Sequence, residues 1–306
     1  TLETFIDGVT YIMEQGYHNY LDVHLMMLLP NAPISEPGYK EKYGIKTIDA
    51  QPRFSHRSNP EILVDDLVSF VTQTNKCSLD EWIEGHQFRW IVIFGHYLGP
   101  LQFISRALRK LKNVSYKEFY TCILEFAKTN PDTFLGAEYK NIKLNLELIL
   151  QNKRHWGDVI DGVGDINWEV DEATCIRLIK NKKKFYNELK SFLQTKYDIN
   201  SDLLDCIIDY QKLRLNEPNI NYPIKKELDY NIHDVIENDK GLRKVKNFIS
   251  VDGKKYADLY NWAKNILWFG RRIARYKTTV IDEPDTYKEH EISEQNLGKI
   301  NNNLNI

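Results

Sequence analysis

Asp22, His24 and Met26 stand two apart in the run Tyr20-Leu-Asp-Val-His-Leu-Met-Met-Leu-Leu29. In an extended chain this alternation puts them on one face, with Leu21, Val23, Leu25 and Met27 on the other. An apolar run of this length, closed at once by Pro30-Asn31-Ala32-Pro33, reads as a strand buried on both faces with a sharp exit into a loop. A buried helix is the rival reading, but it would have to stop at Leu29. On the strand reading, the Asp22–His24–Met26 face lines an interior or a site, with Asn31 at its mouth. The ordinary alternative for His24 is an interior histidine held by hydrogen bonds. A second cluster, Arg53, His56 and Arg57, lies in the irregular Gln51-Pro-Arg-Phe-Ser-His-Arg-Ser-Asn-Pro60. Loops at the C-terminal ends of parallel strands carry binding residues. The competing reading is a solvated connection whose basic residues touch nothing.

Other chemistry-bearing residues point to no site. His86 and His96 are too far apart for a metal-binding face of one helical turn, and both read as satisfied or surface histidines. Trp156-Gly-Asp-Val-Ile-Asp-Gly-Val-Gly164 has three glycines but no Gly-Lys-Ser/Thr, so a plain turn is expected rather than a phosphate loop. Cys77, Cys122, Cys175 and Cys206 are dispersed without CxxC spacing and read as reduced thiols of a cytoplasmic protein, with no metal site. No nucleophile–base pair, HExxH or close carboxylate dyad is present, so no catalytic residue is assigned.

The elements that must position these residues are mostly helices. Leu2, Phe5, Ile6, Val9 and Ile12 recur at helical spacing, and Gly16 stands where a helix C-terminus wants glycine. The result is a helix, a short turn and a parallel-type strand, the back half of a crossover unit. Leu63–Thr74 alternates loosely and reads as a second strand. Ser78-Leu-Asp-Glu81 is a capping box opening a helix that bends near Gly99-Pro100 and resumes to Leu111. Ser115-Tyr-Lys-Glu118 is a second such box, and Asn130-Pro-Asp is expected to start another helix with Pro131 in first position. Helices follow over 172–197 and 202–216. Residues 222–252 look extended, enough for a small antiparallel sheet. A last helix spans Lys254–Tyr276 with Arg271, Arg272 and Arg275 in its final turn. The tail from about Glu289 is polar.

Composition excludes several functions. The 306 residues carry a formal net charge of −2, which gives no electrostatic case for nucleic acid or an acidic membrane. The Lys180-Asn-Lys-Lys-Lys184 run is read as a solvated helix face. A hydrophobic share of 42% is ordinary for a globular core, and no run reaches the length of a membrane span.

The string LLPNAPISEPGYKEKYGIKT, residues 28–47, resembles the segment after a late barrel strand in cobalamin-binding-domain radical S-adenosylmethionine (SAM) proteins. That family commonly shows a Leu-Pro-Asn-Ala run, then Pro-x-Tyr and Lys-Tyr-Gly-Ile. The opening Thr1-Leu-Glu-Thr-Phe-Ile-Asp-Gly8 is similar to the stretch after the family's Pro-Gly-Glu-Thr turn. Leu67–Thr74 and Cys77-Ser-Leu-Asp-Glu-Trp82 resemble its last barrel strand and the Trp-bearing helix start after it. The likeness covers about the first hundred residues. CxxxCxxC and Asp-x-His-x-x-Gly are absent, and both would lie upstream of Thr1. A chain that opens on a helix serving a later strand is therefore expected to be part of a longer protein.

The resemblance implies a mainly α (α+β) fold, with a helical C-terminal domain following the last two strands of a partial (β/α) barrel. Residues 1–75 would be the barrel remnant, 76–288 the helical domain and 289–306 the tail. It implies a parent enzyme with a 4Fe-4S cluster, SAM and cobalamin, performing methyl transfer or a radical rearrangement on an unknown substrate, and no cofactor in this chain alone. His24, Met26 and Asn31 would be the cofactor-side residues, and Asp22, Arg53, His56 and Arg57 the substrate-side ones. The partners would be the upstream radical SAM and cobalamin domains, with a homodimer through the exposed strand edge when the chain is alone. The alternative is a non-catalytic helical module that binds a protein through its aromatic faces.

Overall fold

The computed structural model describes residues 1–52, 55–58, 67–154, 156–270 and 273, and the backbone of 278–281. Helix makes up 54% of the described residues and strand 13%, so the chain is mainly α with small sheets, and among the described residues there is no closed barrel. No described helix is long and apolar enough to cross a membrane.

Helix α1 (Leu2–Glu14) is capped by Thr1, whose hydroxyl accepts from the Thr4 amide at 3.2 Å, and the chain turns away at Gly16 with φ of 82°. Its Val9 and Met13 enter the same core as the later helices. Tyr20–Leu29 follows, extended but not a regular strand. It makes one antiparallel bridge, Met27 opposite Phe70, with the Leu28 amide donating to the Ser69 carbonyl and the Val71 amide to the Met26 carbonyl, both at 2.9 Å. The expected parallel pairing of two strands is thus replaced by antiparallel contact. Nor is the segment buried on both faces: Met26, Met27 and Leu29 are exposed, and Leu28 is its buried residue.

Helix α2 (Pro37–Tyr43) ends at Gly44 in left-handed conformation, and β1 (Lys46–Ala50) pairs antiparallel with β2 (Val68–Gln73). The second expected strand is therefore real over 68–73, while its residues 63–66 lie outside the described residues. Ala50, Phe70, Leu146, Ile149 and Trp156 form a small core of their own beneath this pair.

The helical body begins at α3 (Leu79–Val92), opened by the full Ser78–Glu81 capping box, with bonds of 3.2 and 2.8 Å. A π-helical turn, Ile93–Tyr97, continues it to the bend at Gly99, where φ is 113°. Then come α4 (Gln102–Lys112), α5 (Tyr116–Thr129), α6 (Phe134–Leu150) and the 28-residue α7 (Val170–Tyr197), bent at Asn181. Ser115 caps α5 through the Glu118 amide without the reciprocal half of a box. Helix α6 starts later than Pro131. Thr133 is its cap, accepting from the Gly136 amide at 3.1 Å, and a Cβ at Gly136 would lie 2.0 Å from the Asn130 carbonyl oxygen. The Thr133 hydroxyl takes the N-cap position that Pro131 cannot fill.

Between α6 and α7, Gly157, Gly162 and Gly164 all take positive φ around the short strands β3 (Asp158–Val159) and β4 (Asn167–Trp168), so the segment is the turn its composition predicts. Helix α8 (Ser201–Leu213) leads to β5 (Ile224–Tyr230), α9 (Ile232–Glu237) and β6 (Lys244–Val251), and β6 also pairs with β7 (Thr278–Ile281). This antiparallel sheet matches the expectation for 222–252. The last helix begins at α10 (Leu259–Ala263), continues as a π-helical turn, Lys264–Trp268, and is shorter at its start than predicted. Arg271, Arg272, Arg275 and the tail from 289 lie outside the described residues.

The core buries Trp90, Trp168 and Trp262 completely, and two of them keep a partner for the indole N–H. Trp90 donates to the Thr174 hydroxyl at 3.1 Å and Trp262 to the Asn216 carbonyl at 3.2 Å. Truncating any of the three to alanine would cost about 3–5 kcal/mol.

Candidate functional site

A cleft of about 230 Å³ opens between the start of α1, the extended segment, the end of β2 and the first half of α3. Leu2, Phe5, Val23, Val71 and Trp82 give it a largely apolar wall, and His24, Met26, Glu81, His86 and Arg89 supply its polarisable and polar edge. Two sequence candidates, His24 and Met26, thus border one cavity. The strict division of faces is not kept, because Val23 and Leu25 line the same cleft. The segment is not pleated into a sheet on both sides, so side-chain direction no longer simply alternates.

Arg89 fixes this segment from below. Its Nε donates to the Val23 carbonyl at 2.6 Å, Nη2 reaches Asp22 at 3.4 Å and Nη1 reaches Asp171 at 3.2 Å. The guanidinium is buried, as is Asp171, while Asp22 is half-buried. Asp22 is therefore committed to holding the backbone that carries His24. The His24 imidazole lies 3.5 Å from the Asp22 carboxylate, with 73% of its side chain exposed, so it stands at the cleft edge rather than in the interior.

His56 lies elsewhere than the cleft. Its side chain is buried, Nε2 lies 2.7 Å from a carboxylate oxygen of Glu172, and the ring stacks on Trp268 at 4.7 Å and meets Trp168 edge-on. The surrounding backbone is stitched to β4: the His56 amide donates to the Asn167 carbonyl at 2.8 Å and the Asn167 amide to the Arg57 carbonyl at 2.9 Å. Ser55 donates to Glu169. His56 holds φ of 62°, a left-handed conformation that this web of contacts enforces. Burial pushes the Glu172 carboxyl above its ordinary range, and the His56 hydrogen bond and charge pull part of that back. The Arg57 side chain is exposed on the same loop. Arg53 lies outside the described residues. Asn31 occupies a left-handed turn, φ 66°, where Ser35 and the Ala32 amide close on the Leu29 carbonyl, and it does not line the cleft.

The two sites meet on α7. Asp171 holds Arg89 and its neighbour Glu172 holds His56. Glu169, Asp171 and Glu172 crowd the first turn of α7, where the helix dipole favours negative charge. Sequence reasoning missed Arg89, Asp171 and Glu172. The signal available was Glu169-Val-Asp-Glu172, acidic residues at a helix start, a pattern that capping alone also explains.

The cysteines do not fit an iron–sulfur cluster. Cys77 stands before α3, while Cys122, Cys175 and Cys206 sit on α5, α7 and α8. Burial pushes the Cys77, Cys175 and Cys206 thiols upward, the last to about 11, against the thiolate form that iron requires. Among the described residues no three His, Cys, Asp or Glu side chains gather in a metal-holding arrangement.

No protein-family model matches the chain. It is similar, at low identity, to known methyltransferases. It is 26% identical over 246 residues to the cobalamin-dependent radical SAM methyltransferase TokK of Streptomyces tokunonensis, a match covering 75% of this chain and 36% of that protein. It is 26% identical over 202 residues to the 2-(S-pantetheinyl)-carbapenam-3-carboxylate methyltransferase of Streptantibioticus cattleyicolor, covering 62% of this chain and 30% of that one. The chain spans about a third of the length of these curated relatives.

Proposed function

We propose that this chain is the C-terminal portion of a cobalamin-dependent radical SAM enzyme that transfers a methyl group, its helical body closing the substrate side of the site. The observation that carries the reading is the shared similarity to two methyltransferases, one over 246 residues. In this reading the 4Fe-4S cluster, SAM and cobalamin are bound by upstream domains of the same protein. His24 and Met26 border bound SAM or substrate across the cleft. Asn31 shapes the turn beyond them. Asp22 and His56 act as positioning residues, one through Arg89 and the other through Glu172. Arg57 is the substrate-facing cation, the role also proposed for Arg53. Free thiols at all four cysteines accord with a reducing, cytoplasmic setting.

The alternative, an interaction module working through aromatic faces, has less support, because few of the described aromatic side chains are exposed: Tyr11, Tyr17, Tyr39, Tyr43 and Phe269. Two measurements test the proposal. The reading frame upstream of Thr1 is expected to encode CxxxCxxC, and the whole protein, reconstituted anaerobically with iron and sulfide, to cleave SAM. An upstream frame without that motif would remove the reading. The 306-residue chain alone is expected to take up no stoichiometric cluster.

A further inference from the structure

His18 and His96 hydrogen-bond directly, Nδ1 to Nε2 at 3.0 Å, where the turn after α1 meets the π-helical turn after α3. His96 is fully buried and His18 half-buried. On its far side, His96 Nδ1 lies 2.8 Å from the Tyr120 hydroxyl, which itself lies 3.3 Å from Ser105 Oγ. Ser105 donates onward to the Gln102 carbonyl at 2.9 Å. The Gln102 side-chain amide spans the backbone carbonyls of both histidines, at 2.7 and 3.0 Å, and so fixes their spacing.

Two imidazole nitrogens that face each other at this distance need one proton between them, and the proton can sit on either. In one arrangement Tyr120 donates to His96 Nδ1, His96 carries its proton on Nε2 and donates to His18 Nδ1, and His18 is neutral. In the other, His18 is an imidazolium donating from Nδ1 to His96 Nε2. His96 then carries its proton on Nδ1 and donates to the Tyr120 oxygen, and the Tyr120 hydroxyl turns to Ser105. The two differ by one proton: as His96 passes its Nε2 proton to His18 Nδ1, Tyr120 passes its hydroxyl proton to His96 Nδ1 and is reprotonated from water, and in both arrangements each donor between His18 Nδ1 and Ser105 has an acceptor.

We propose that the His18–His96 pair is a two-state proton relay, in which His18 gains the proton and His96 changes tautomer in step, so that the clasp between α1 and α3 holds in both charge states. The groups facing the pair fit that role. Glu14, at the end of α1, is engaged by Arg109 at 2.8 Å and by the Tyr116 amide at 3.1 Å. Tyr97 of the π-helical turn and Tyr116 and Tyr120 of α5 pack edge-on against His96, and Tyr116 also against His18, while Glu14, Arg106 and Arg109 act on Tyr116 and Tyr17 on Tyr97. Burial pushes the Tyr97, Tyr116 and Tyr120 hydroxyls upward, so all three stay neutral near pH 7, and Tyr120 is the one whose hydroxyl meets His96 Nδ1.

Nitrogen-15 imidazole NMR of the chain, titrated from pH 8 to pH 5, tests the relay. The expected result is His96 protonated on Nε2 at high pH and on Nδ1 at low pH, with the same midpoint as His18. A His96 that keeps one tautomer, or becomes the imidazolium itself, would overturn it. Ser105→Ala removes the acceptor that Tyr120 needs in the protonated arrangement, together with the Ser105 bond to the Gln102 carbonyl and its 3.5 Å approach to His96 Nδ1. It is expected to lower the His18 midpoint and blunt the His96 tautomer change, whereas an unmoved midpoint would count against the relay. The wild-type titration decides the question even if that variant folds poorly.

Discussion

Arg89 Nε donates to the carbonyl of Val23 at 2.6 Å, across 66 residues of sequence, and this bond sets where the His24 side chain stands. The same guanidinium satisfies the buried Asp171 and the half-buried Asp22. Lysine keeps the charge but not the three-way fork. Arg89→Lys is therefore expected to leave the helical body folded, lower stability by about 1–3 kcal/mol, and speed amide exchange across 20–29 selectively. Uniform exchange throughout the chain, or none changed, would show that Arg89 does not hold the segment.

The His56–Glu172 pair should show itself through pH. Burial raises the Glu172 carboxyl and His56 opposes that rise, so His56→Gln sends it further up. Below about pH 4 the carboxyl is protonated in the folded and unfolded chain alike, and the variant loses only neutral contacts. As pH rises, the unfolded carboxyl ionises while the folded one resists, and the deficit grows. It is expected to be about 3 kcal/mol at pH 7 and well under half that at pH 4, measured by denaturant unfolding at both. A deficit independent of pH would mean that the pair contributes packing alone.

How far the sequence exposes these relationships depends on their range. The Ser78–Glu81 box, Gly16 beyond α1, the glycine turn at 157–164 and the sheet over 224–251 are local, and local rules find them. Asp22, His24, Met26 and His56 are visible by type and spacing, but their partners stand far off in sequence. The extended run misleads for the same reason. Its periodicity is that of a strand, yet the Val23 carbonyl is taken by Arg89 and the Tyr20 carbonyl by the Tyr17 hydroxyl, so side chains replace a sheet neighbour. No windowed pattern contains that competition. Nor does it foretell that the aromatic ring on His56 belongs to Trp268.

His233 makes an acid-labile point in the second half of the chain. Arg214 donates to the Tyr210 oxygen at 2.6 Å, so the Tyr210 hydroxyl gives its own proton to His233 Nδ1, 3.0 Å away. Burial, then the Arg214 charge, holds the imidazole down to about 4 from an ordinary 6.5. Its contribution is full above pH 6.5 and is lost as pH falls toward 4, about 3 kcal/mol in all. Asparagine can accept the Tyr210 proton without titrating. His233→Asn should flatten the stability profile between those values, and a profile as steep as the wild type would assign the acid loss to other groups.

The last prediction concerns the free edge of the extended segment. Met26 and Leu28 spend their backbone groups on β2, whereas the amides and carbonyls of Leu25 and Met27 have no partner among the described residues. Met26, Met27 and Leu29 are also exposed, so an apolar and almost chargeless strand edge faces water, a template for pairing with another strand. In the chain on its own, a second copy is the simplest complement, because a two-fold axis lets each edge satisfy the other. The 306-residue chain is thus expected to dimerise by light scattering as concentration rises, with slowed amide exchange at Leu25 and Met27. Met27→Lys places a charge on that edge without altering the backbone or the cleft lining, and it should return the chain to a monomer with its thermal stability unchanged. Wild-type chain that stays monomeric at high concentration, or a dimer indifferent to Met27→Lys, would place the self-association elsewhere or dismiss it.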